Sequence, residues 1–413
     1  MVGSCDRYNY GDLLFPIVTR WGLSAYEGIA ARYGFEQYGL VSGDLSRFGA
    51  PPCRGMADLY RDAVAGDVIL LAGGENLAQT WFVMHLTLLD PREAEERRRF
   101  AERAGAEAAE AASRRALRGR HLFPYILPPG AFRGAVRVMY NSMGGWPLAH
   151  YTEGQQRTIA ETMRPASFVS VRDSQTAAIL RGLDPAMPVF EAPDCVFLLP
   201  EMWPREHLGA MASPEVRRLV AESEGFVCFQ CHIRYGNANR DELKRQLRAL
   251  AGESGLDIVL VPTDRIYSFE SHTFLSSLAL ELGPRVHLLP DTATVSDTAY
   301  VFASARLFCG TSLHGSITTL AYGSPLVPLA TDDPKLRFNL ASWGQAAQFP
   351  MTAAADLCSQ ALRCLALDRR AVQNTSARLH DAARGNLERL ADRILEGQLT
   401  SRIAPPVRST ASG

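Results

Sequence analysis

Short apolar runs alternate with segments of helical pattern along most of the chain. This alternation is typical of parallel sheets covered by helices, because their strands are buried on both faces. Ligands of such sheets bind beyond the carboxyl ends of the strands, so the polar residues that follow each run are the candidates for a functional site. The predicted strands are 67–72, 135–140, 167–171, 189–191, 226–233, 257–262, 286–289, 307–309 and 326–329.

A polar, proline-punctuated stretch separates two sheet-forming halves. We expect an α/β chain with an N-terminal Rossmann-like domain at 1–200, a connector at 201–224 and a C-terminal Rossmann-like domain at 225–399. The segment 400–413, with two prolines and several Ser and Thr residues, is predicted to be a disordered tail. The Glu- and Arg-rich segment 91–120 predicts one long solvated helix.

Composition and charge exclude several classes of protein. With 47% hydrophobic and 21% charged residues, the chain is neither disordered nor fibrous. Its 43 Lys and Arg against 44 Asp and Glu give a net charge of −1, so we expect no nucleic-acid partner and only local anion sites. A transmembrane segment and a signal peptide are not expected, which predicts a cytoplasmic protein.

The eight cysteines are spread over the chain and do not form a disulfide framework. Cys228 and Cys231 form a CxxC pair with His232 beside it, but zinc would need further ligands that the sequence does not supply. The run 226–233 is more simply a buried strand in which Cys acts as a small apolar residue. No metal site is therefore predicted.

Three polar motifs occur in the predicted N-terminal domain. The loop 3–12 carries Asn9 and Asp12 before a helix, where they either contact a polar ligand or only cap the helix. Gly73 and Gly74 end a strand before Glu75, a candidate base or hydrogen-bond acceptor, although a tight turn explains the glycines equally well. Asn141 follows the next strand and is expected to line the same cleft.

Charged residues follow two further strands. Arg172 offers a planar guanidinium that matches a carboxylate or phosphate, and the alternative is an internal ion pair with Asp173. Asp194 follows Pro193 at the end of another strand, where ordinary turn chemistry is the competing explanation. Both residues are candidates for the same cleft.

The sharpest signal is the turn Thr311–Ser312 between a strand and a helix that begins near His314. Such a turn exposes an imidazole to a cleft, and the pKa of His suits acid–base work near pH 7. A purely structural histidine is the alternative. After the next strand, Lys335 and Arg337 bring two cations near the same edge.

Taken together, these motifs resemble the polysaccharide pyruvyl transferase family. The resemblance lies in the Asn-x-Gly-Asp loop, the Gly-Gly turn, the Ser-x-Arg-Asp element, the Pro-Asp turn and the Leu-His-Gly element, over about residues 3–340. It implies a fold similar to glycosyltransferase-B enzymes, with a cleft between two Rossmann-like domains. The implied reaction moves pyruvate from phosphoenolpyruvate onto two sugar hydroxyls as a cyclic ketal.

The resemblance also implies roles for the candidate residues. The donor's phosphate and carboxylate call for cations, with Arg172 as first choice and Lys335 and Arg337 after it. Many members carry Arg where this chain has Ser312, so that contact is missing or replaced. His314 is the implied acid or base, and Glu75 or Asp194 is the second group.

The acceptor side is implied to lie in the N-terminal domain and the donor side in the C-terminal domain. Asn9, Asp12 and Asn141 are expected to contact a saccharide or lipid-linked saccharide, and Gly73, Gly74 and Thr311 to line the cleft. No metal or organic cofactor is required by this reaction. The enzyme would work in the cytoplasm or at the inner face of the membrane, and a homo-oligomer is left open.

Two other functions remain open at this point. A nucleotide-sugar glycosyltransferase would share the fold and bind a uridine or guanosine nucleotide. A non-catalytic relative would bind saccharide or a partner protein without turnover, which Ser312 makes credible. A strand normally precedes the Asn-x-Gly-Asp loop, and here only Met1 and Val2 do, so the first strand is expected to be very short or the true start to lie upstream.

Overall fold

The computed structural model describes residues 1–266 and 271–396, without the side chain of Ser271. The predicted tail 400–413 and the last residues of the predicted C-terminal domain lie outside this range. Each of the nine predicted strands is confirmed, and two short strands near the start were not predicted. The strands are β1 (Tyr38–Gly39), β2 (Arg54–Gly55), β3 (Val68–Leu71), β4 (Arg137–Met143), β5 (Phe168–Val171), β6 (Val189–Glu191), β7 (Phe226–Gln230), β8 (Asp257–Leu260), β9 (Val286–Leu288), β10 (Leu307–Gly310) and β11 (Leu326–Pro328).

The strands form two parallel sheets, one in each half of the chain. The first has the order β3-β4-β5-β6 and the second the order β11-β10-β7-β8-β9. Val2 bridges both Tyr38 and Leu71 in parallel, so the very short first strand is a one-residue bridge that joins the β1–β2 pair to the first sheet. The predicted α/β fold of two Rossmann-like halves is confirmed.

Helices cover both sheets, as the crossovers between parallel strands require. In the first half they are α1 (Tyr10–Ser24), α2 (Glu27–Ala30), α3 (Met56–Asp62), α4 (Trp81–Leu86), α5 (Pro91–Ala104), α6 (Ala106–Ala116), α7 (Glu153–Met163) and α8 (Ser174–Leu183). Then follow α9 (Leu199–Met202), α10 (Arg205–Met211), α11 (Pro214–Glu222), α12 (Ile233–Ala238), α13 (Arg240–Ser254), α14 (Ser271–Leu282), α15 (Val295–Ser304), α16 (Leu313–Ala321), α17 (Lys335–Ser342), α18 (Leu357–Leu365) and α19 (Arg369–Ile394). Short 3-10 helices lie at Ser46–Phe48, Asn76–Ala78, Pro129–Ala131, Trp146–His150, Cys195–Leu198 and Ala354–Asp356.

The prediction of one long helix over 91–120 was wrong. Gly105, with φ of 87°, separates α5 from α6, because only a residue without a Cβ adopts this backbone conformation without strain. Both oxygens of Glu110 accept the amide hydrogens of Trp81 and Phe82 at the start of α4. The segment is thus a helical hairpin that holds α4 in place.

The last helix returns to the first half. Asn386 of α19 donates a 2.8 Å hydrogen bond to Asn141 of β4, and Arg137 donates to the carbonyls of Arg393 and Ile394. In the described part of the chain, no helix is both long and apolar enough to cross a membrane.

Candidate active site

A cavity of about 750 Å³ lies between the two halves. Its wall is formed largely by residues that follow the carboxyl ends of strands in both sheets, as expected for parallel α/β folds. The first half contributes Asn9, Asp12, Glu75, Asn76 and Arg172, and the second contributes Gln230, His232, Arg234, Thr263, Asp264, Thr311, Ser312, His314, Asp333 and Lys335.

His314 stands in the first turn of α16. Ser312 is the N-cap of this helix, and its Oγ accepts the amide hydrogen of Gly315 at 3.1 Å. The cap fixes the backbone direction at which the imidazole leaves the helix. Only 13% of the His314 side chain is exposed, and Nε2 lies 3.5 Å from Oδ2 of Asp194.

Asp194 is fully buried and lies behind His314, away from the cavity wall. Its carboxylate accepts the Val196 amide at 3.0 Å and the Arg172 guanidinium at 3.2 Å. Burial alone would raise the pKa of Asp194, but the neighbouring His314 and Arg172 outweigh burial and lower it. The structure therefore places an ionised carboxylate where it orients His314, and not, as the sequence suggested, where it would act on a substrate.

Arg172 bridges two carboxylates at the floor of the cavity. It donates to Glu75 Oε2 at 2.8 Å and to Asp194 Oδ2 at 3.2 Å, and its side chain is 3% exposed. The alternative ion pair with Asp173 is wrong, because Asp173 caps α8 by accepting the Thr176 amide at 2.7 Å. Both arms of the guanidinium are thus already engaged.

Glu75 is fixed from both sides. Its Oε1 accepts the Trp146 amide at 3.1 Å, and its Oε2 accepts a hydrogen bond from Arg172. Burial raises the pKa of Glu75, and the charge of Arg172 offsets only part of this effect. A carboxylate of raised pKa is a stronger base than an ordinary Glu, which suits proton transfer near neutral pH.

Asn9 and Asp12 both line the cavity, and Asn9 also caps the helix that follows. The Asn9 side chain caps α1 by accepting the amides of Gly11 and Asp12 at 3.1 and 3.3 Å. Burial raises the pKa of Asp12. Within the described residues, no donor is hydrogen-bonded to the Asp12 carboxylate.

The aromatic ring of Phe15 organises the residues around the floor of the cavity. The His314 ring packs edge-on against it at 5.1 Å, and the Arg172 guanidinium lies 5.9 Å from its centroid. A Cβ on Gly73 would come within 2.1 Å of the Phe15 ring, so this glycine makes room for Phe15. Gly73 and Gly74 both have positive φ and are absent from the cavity wall, which supports the tight-turn explanation.

Asn141 does not reach the cavity, so the prediction of an acceptor contact there was wrong. Strand β4 continues to Met143, which leaves Asn141 inside the strand and 2% exposed. Its side chain accepts hydrogen bonds from Ser170 and Asn386. It therefore joins β5 and α19 to the sheet.

Two predicted cations, Lys335 and Arg337, belong to the second half. Lys335 lines the cavity and pairs with Asp333 at 2.9 Å. Arg337 is exposed on α17, stacks over Phe338 at 5.3 Å and is absent from the wall, so the structure does not group it with the other candidates. Thr311 accepts the His232 amide at 3.0 Å and thereby links the ends of β10 and β7.

Two cationic residues of the wall were missed by the sequence analysis. Arg234 directly follows the predicted strand 226–233 but was not singled out, and the structure places it in α12 at the wall of the cavity. Arg234 is exposed and forms no ion pair within the described residues. Arg7 is buried and committed to Asp6, Thr87 and Tyr125, so it anchors the loop.

Cys228 and Cys231 are fully buried, and Cys228 lies within β7. Among residues 1–266 and 271–396, no group of three or more His, Cys, Asp or Glu side chains is arranged to hold a metal ion.

Comparison with known proteins gives a family match and distant structural neighbours. The chain is similar to a putative UDP-N-acetylglucosamine 2-epimerase of Listeria monocytogenes, at 11% identity and a TM-score of 0.49, covering 94% of this chain and 96% of that one. The Anabaena protein Alr3699/HepE, solved with UDP and glucose, has 14% identity and a TM-score of 0.44, with coverage of 93% and 94%. The trehalose 6-phosphate synthase of Burkholderia multivorans has 13% identity and a TM-score of 0.43, with coverage of 84% and 82%.

No curated protein matches the sequence significantly. Residues 149–333 match the family model described as polysaccharide pyruvyl transferase. This segment includes Arg172 and His314, which line the cavity, and Asp194, which lies behind them. The match confirms the resemblance for the Ser-x-Arg-Asp, Pro-Asp and Leu-His-Gly elements, and the Asn-x-Gly-Asp loop and the Gly-Gly turn lie outside it. Residues 149–333 carry the sequence pattern of the polysaccharide pyruvyl transferase family.

Proposed function

We propose that the protein transfers pyruvate from phosphoenolpyruvate onto two hydroxyls of a saccharide, forming a cyclic ketal. The observation that carries this proposal is the group formed by His314, its buried partner Asp194, and Glu75, all tied together by Arg172. This group supplies one acid and one base at a cleft between two domains. The family match over residues 149–333 supports the reaction class.

The cavity has room for both substrates. Its volume of about 750 Å³ falls within the roughly 300–1,000 Å³ of sites that bury drug-sized ligands. Phosphoenolpyruvate is much smaller than such a ligand, so it leaves space for at least one sugar ring. The acceptor is then a saccharide or a lipid-linked saccharide whose sugar reaches the wall near Asn9, Asp12 and Asn76.

The donor's anionic groups fit the second half. Arg234 and Lys335 are the cations there, and the first amides of α16 have no partner within their own helix. Arg172 was the first choice for the donor, but Glu75 and Asp194 already engage its guanidinium. We therefore assign Arg172 to holding the two carboxylates, and donor binding to Arg234, Lys335 and the start of α16.

The first step needs a proton at the methylene carbon of the donor and loses one from a sugar hydroxyl. Protonated His314 donates to the methylene carbon, and Asp194 stabilises the imidazolium beforehand. The neighbouring carbon becomes electrophilic, and the sugar oxygen attacks it while Glu75 takes the hydroxyl proton. The product of this step carries the sugar, the phosphate, the carboxylate and a new methyl group on one carbon.

The second step reverses both proton transfers. Phosphate leaves with the proton held by Glu75, and the second hydroxyl attacks the same carbon while His314 takes its proton. The ketal and inorganic phosphate are the products, and both side chains return to their starting forms. No metal or organic cofactor takes part in this scheme.

Ligand-induced thermal stabilisation tests the proposal against its alternatives, because a ligand that binds only the folded state raises the melting temperature. We expect phosphoenolpyruvate to stabilise the protein and Arg234→Ala to reduce this shift, with Arg370→Ala, a distant exposed Arg, as control. Stabilisation by uridine or guanosine nucleotides and not by phosphoenolpyruvate would favour a glycosyltransferase. Stabilisation by saccharides alone would favour a non-catalytic binding protein.

A further inference from the structure

The chain contains no Asp or Glu between Glu110 and Glu153, yet this stretch carries six Arg residues. Arg137 pairs with Glu396 and is used internally. The others belong to the end of the helical hairpin and to the loop that leads into β4. Because the whole chain is close to neutral, this stretch is a local concentration of positive charge.

Three residues of this stretch pack around the ring of Tyr60. The Arg120 guanidinium lies 4.8 Å from the ring centroid, and the rings of His121 and Phe132 both pack against it at 5.4 Å. The loops that carry these three residues are therefore neighbours. Val64 follows α3, the helix that carries Tyr60. It lies next to Gly134 of the loop before β4, because a Cβ atom on Gly134 would lie 2.8 Å from the Val64 backbone.

We define the basic patch as Val64, Arg118, Arg120, Leu122 and Arg133. All five side chains are exposed, with 61% for Val64 and 41% for Leu122. Within the described residues the three Arg form no ion pair. The carboxylate of Asp67 accepts the Val64 amide at 2.9 Å, so it lies at the edge of the patch and offsets one of the three positive charges.

We propose that the basic patch binds the surface of an anionic lipid bilayer. Cations attract anionic headgroups, and exposed large apolar side chains between them gain by entering the boundary with the acyl chains. A nucleic acid would use the same cations, but Val64 and Leu122 would gain nothing from its phosphates. The combination of Arg with exposed Val and Leu therefore favours lipid.

The basic patch is linked to the wall of the cavity through α4. The carbonyl of His121 accepts a 2.9 Å hydrogen bond from the Trp81 indole, which begins this helix. Met84 of the same helix and its C-cap, Thr87, line the cavity. Under the proposed function, lipid binding would bring a lipid-linked sugar to the acceptor side.

Vesicle co-sedimentation of the full chain tests the proposal without any assay of activity. We expect binding to vesicles that contain phosphatidylglycerol, weaker binding at high salt, and little binding to pure phosphatidylcholine. Arg118→Glu, Arg120→Glu and Arg133→Glu together should weaken binding to the anionic vesicles at least about tenfold. The matched control combines Arg217→Glu, Arg218→Glu and Arg370→Glu, three exposed Arg residues elsewhere with the same total charge change.

A second variant tests the apolar part. Leu122→Ser with Val64→Ser keeps every charge and should also weaken binding to phosphatidylglycerol vesicles severalfold. Equal loss in the control and patch variants, or equal binding to both vesicle types, would overturn the proposal. Retained binding of the serine variant, with equal binding to DNA of matched charge, would show a general polyanion site instead of a lipid site.

Discussion

A Cβ atom on Gly11 would lie 1.8 Å from Nδ1 of His314. The two residues belong to opposite halves of the chain, and Gly11 lies in the first turn of α1. Ala is the better helix former by about 1 kcal/mol, so helix propensity does not explain a glycine at this position. The glycine is explained by the space that the imidazole occupies.

Gly11→Ala should therefore displace His314 while leaving the fold intact. Misplacement of a reacting group by about 1 Å lowers turnover by roughly 100-fold, which steady-state measurement of phosphate release would detect. Gly3→Ala is the matched control, because a Cβ at Gly3 has nothing within 4 Å. Full activity of Gly11→Ala would show that His314 is free to move without consequence.

Arg172→Lys should disturb the group of Glu75, Asp194 and His314 and so impair catalysis. It should leave the affinity for the donor unchanged. A single ammonium cannot reach both Glu75 and Asp194 as the planar guanidinium does, so one buried carboxylate loses its partner. We expect the free energy of unfolding to fall by about 3 kcal/mol and kcat to fall while KM for phosphoenolpyruvate stays nearly constant.

Arg181→Lys is the control for Arg172→Lys, because Arg181 pairs with Glu191 at the surface, where the expected loss is under about 1 kcal/mol. A rise in KM for phosphoenolpyruvate with unchanged kcat and stability would return Arg172 to the role of donor ligand.

Asp12→Asn should stabilise the protein at neutral pH. Burial raises the pKa of Asp12 above its ordinary value of 3.8, so the folded state binds this proton more tightly than the unfolded state does. Its contribution to stability is therefore lost as the pH rises above 3.8. The melting temperature of Asp12→Asn should exceed that of the wild type at pH 7 and match it below about pH 4.

Asp381→Asn, at an 81% exposed side chain, should leave the melting temperature unchanged at both pH values. If Asp12→Asn lowered the melting temperature at pH 7, the Asp12 charge would have to be stabilised by its surroundings.

Ser312→Arg should lower the stability of the protein without raising its affinity for phosphoenolpyruvate. The substitution removes the cap of α16, at a cost of about 1 kcal/mol in unfolding free energy, and Ser312→Ala should cost the same. Ser312→Asn keeps a capping side chain and should be close to the wild type. A large gain in phosphoenolpyruvate affinity from Ser312→Arg would indicate a degenerate donor site and favour the non-catalytic alternative.

The sequence was sufficient to predict nine of the eleven described strands and the edge of the sheets at which the site lies. Residues shortly after predicted strands, such as Glu75, Arg172 and His314, do meet at the cavity, because carboxyl ends of parallel strands share one edge. The prediction failed where a strand end was misplaced. Asn141 became internal because β4 runs on to Met143. Arg234 lines the cavity although it was not singled out, and it does follow a predicted strand, 226–233.

Contacts between the two halves could not be predicted from local patterns. Nothing near Gly11 in the sequence indicates that a histidine about 300 residues later occupies the space of its side chain. The partners of Arg172 within its own half could not be predicted either, because Glu75 and Asp194 follow other strands of the same sheet. Such pairings depend on strand order and domain closure, which the hydrophobic pattern does not encode.

Transfer of labelled pyruvate tests the central claim most directly. Phosphoenolpyruvate labelled with ¹³C at the carbon that bears the phosphate should yield a ketal carbon signal on a saccharide acceptor, with one phosphate released for each ketal. His314→Ala should fold normally and reduce both products by about 100-fold or more. Phosphate release without a ketal, or equal transfer by wild type and His314→Ala, would contradict the account.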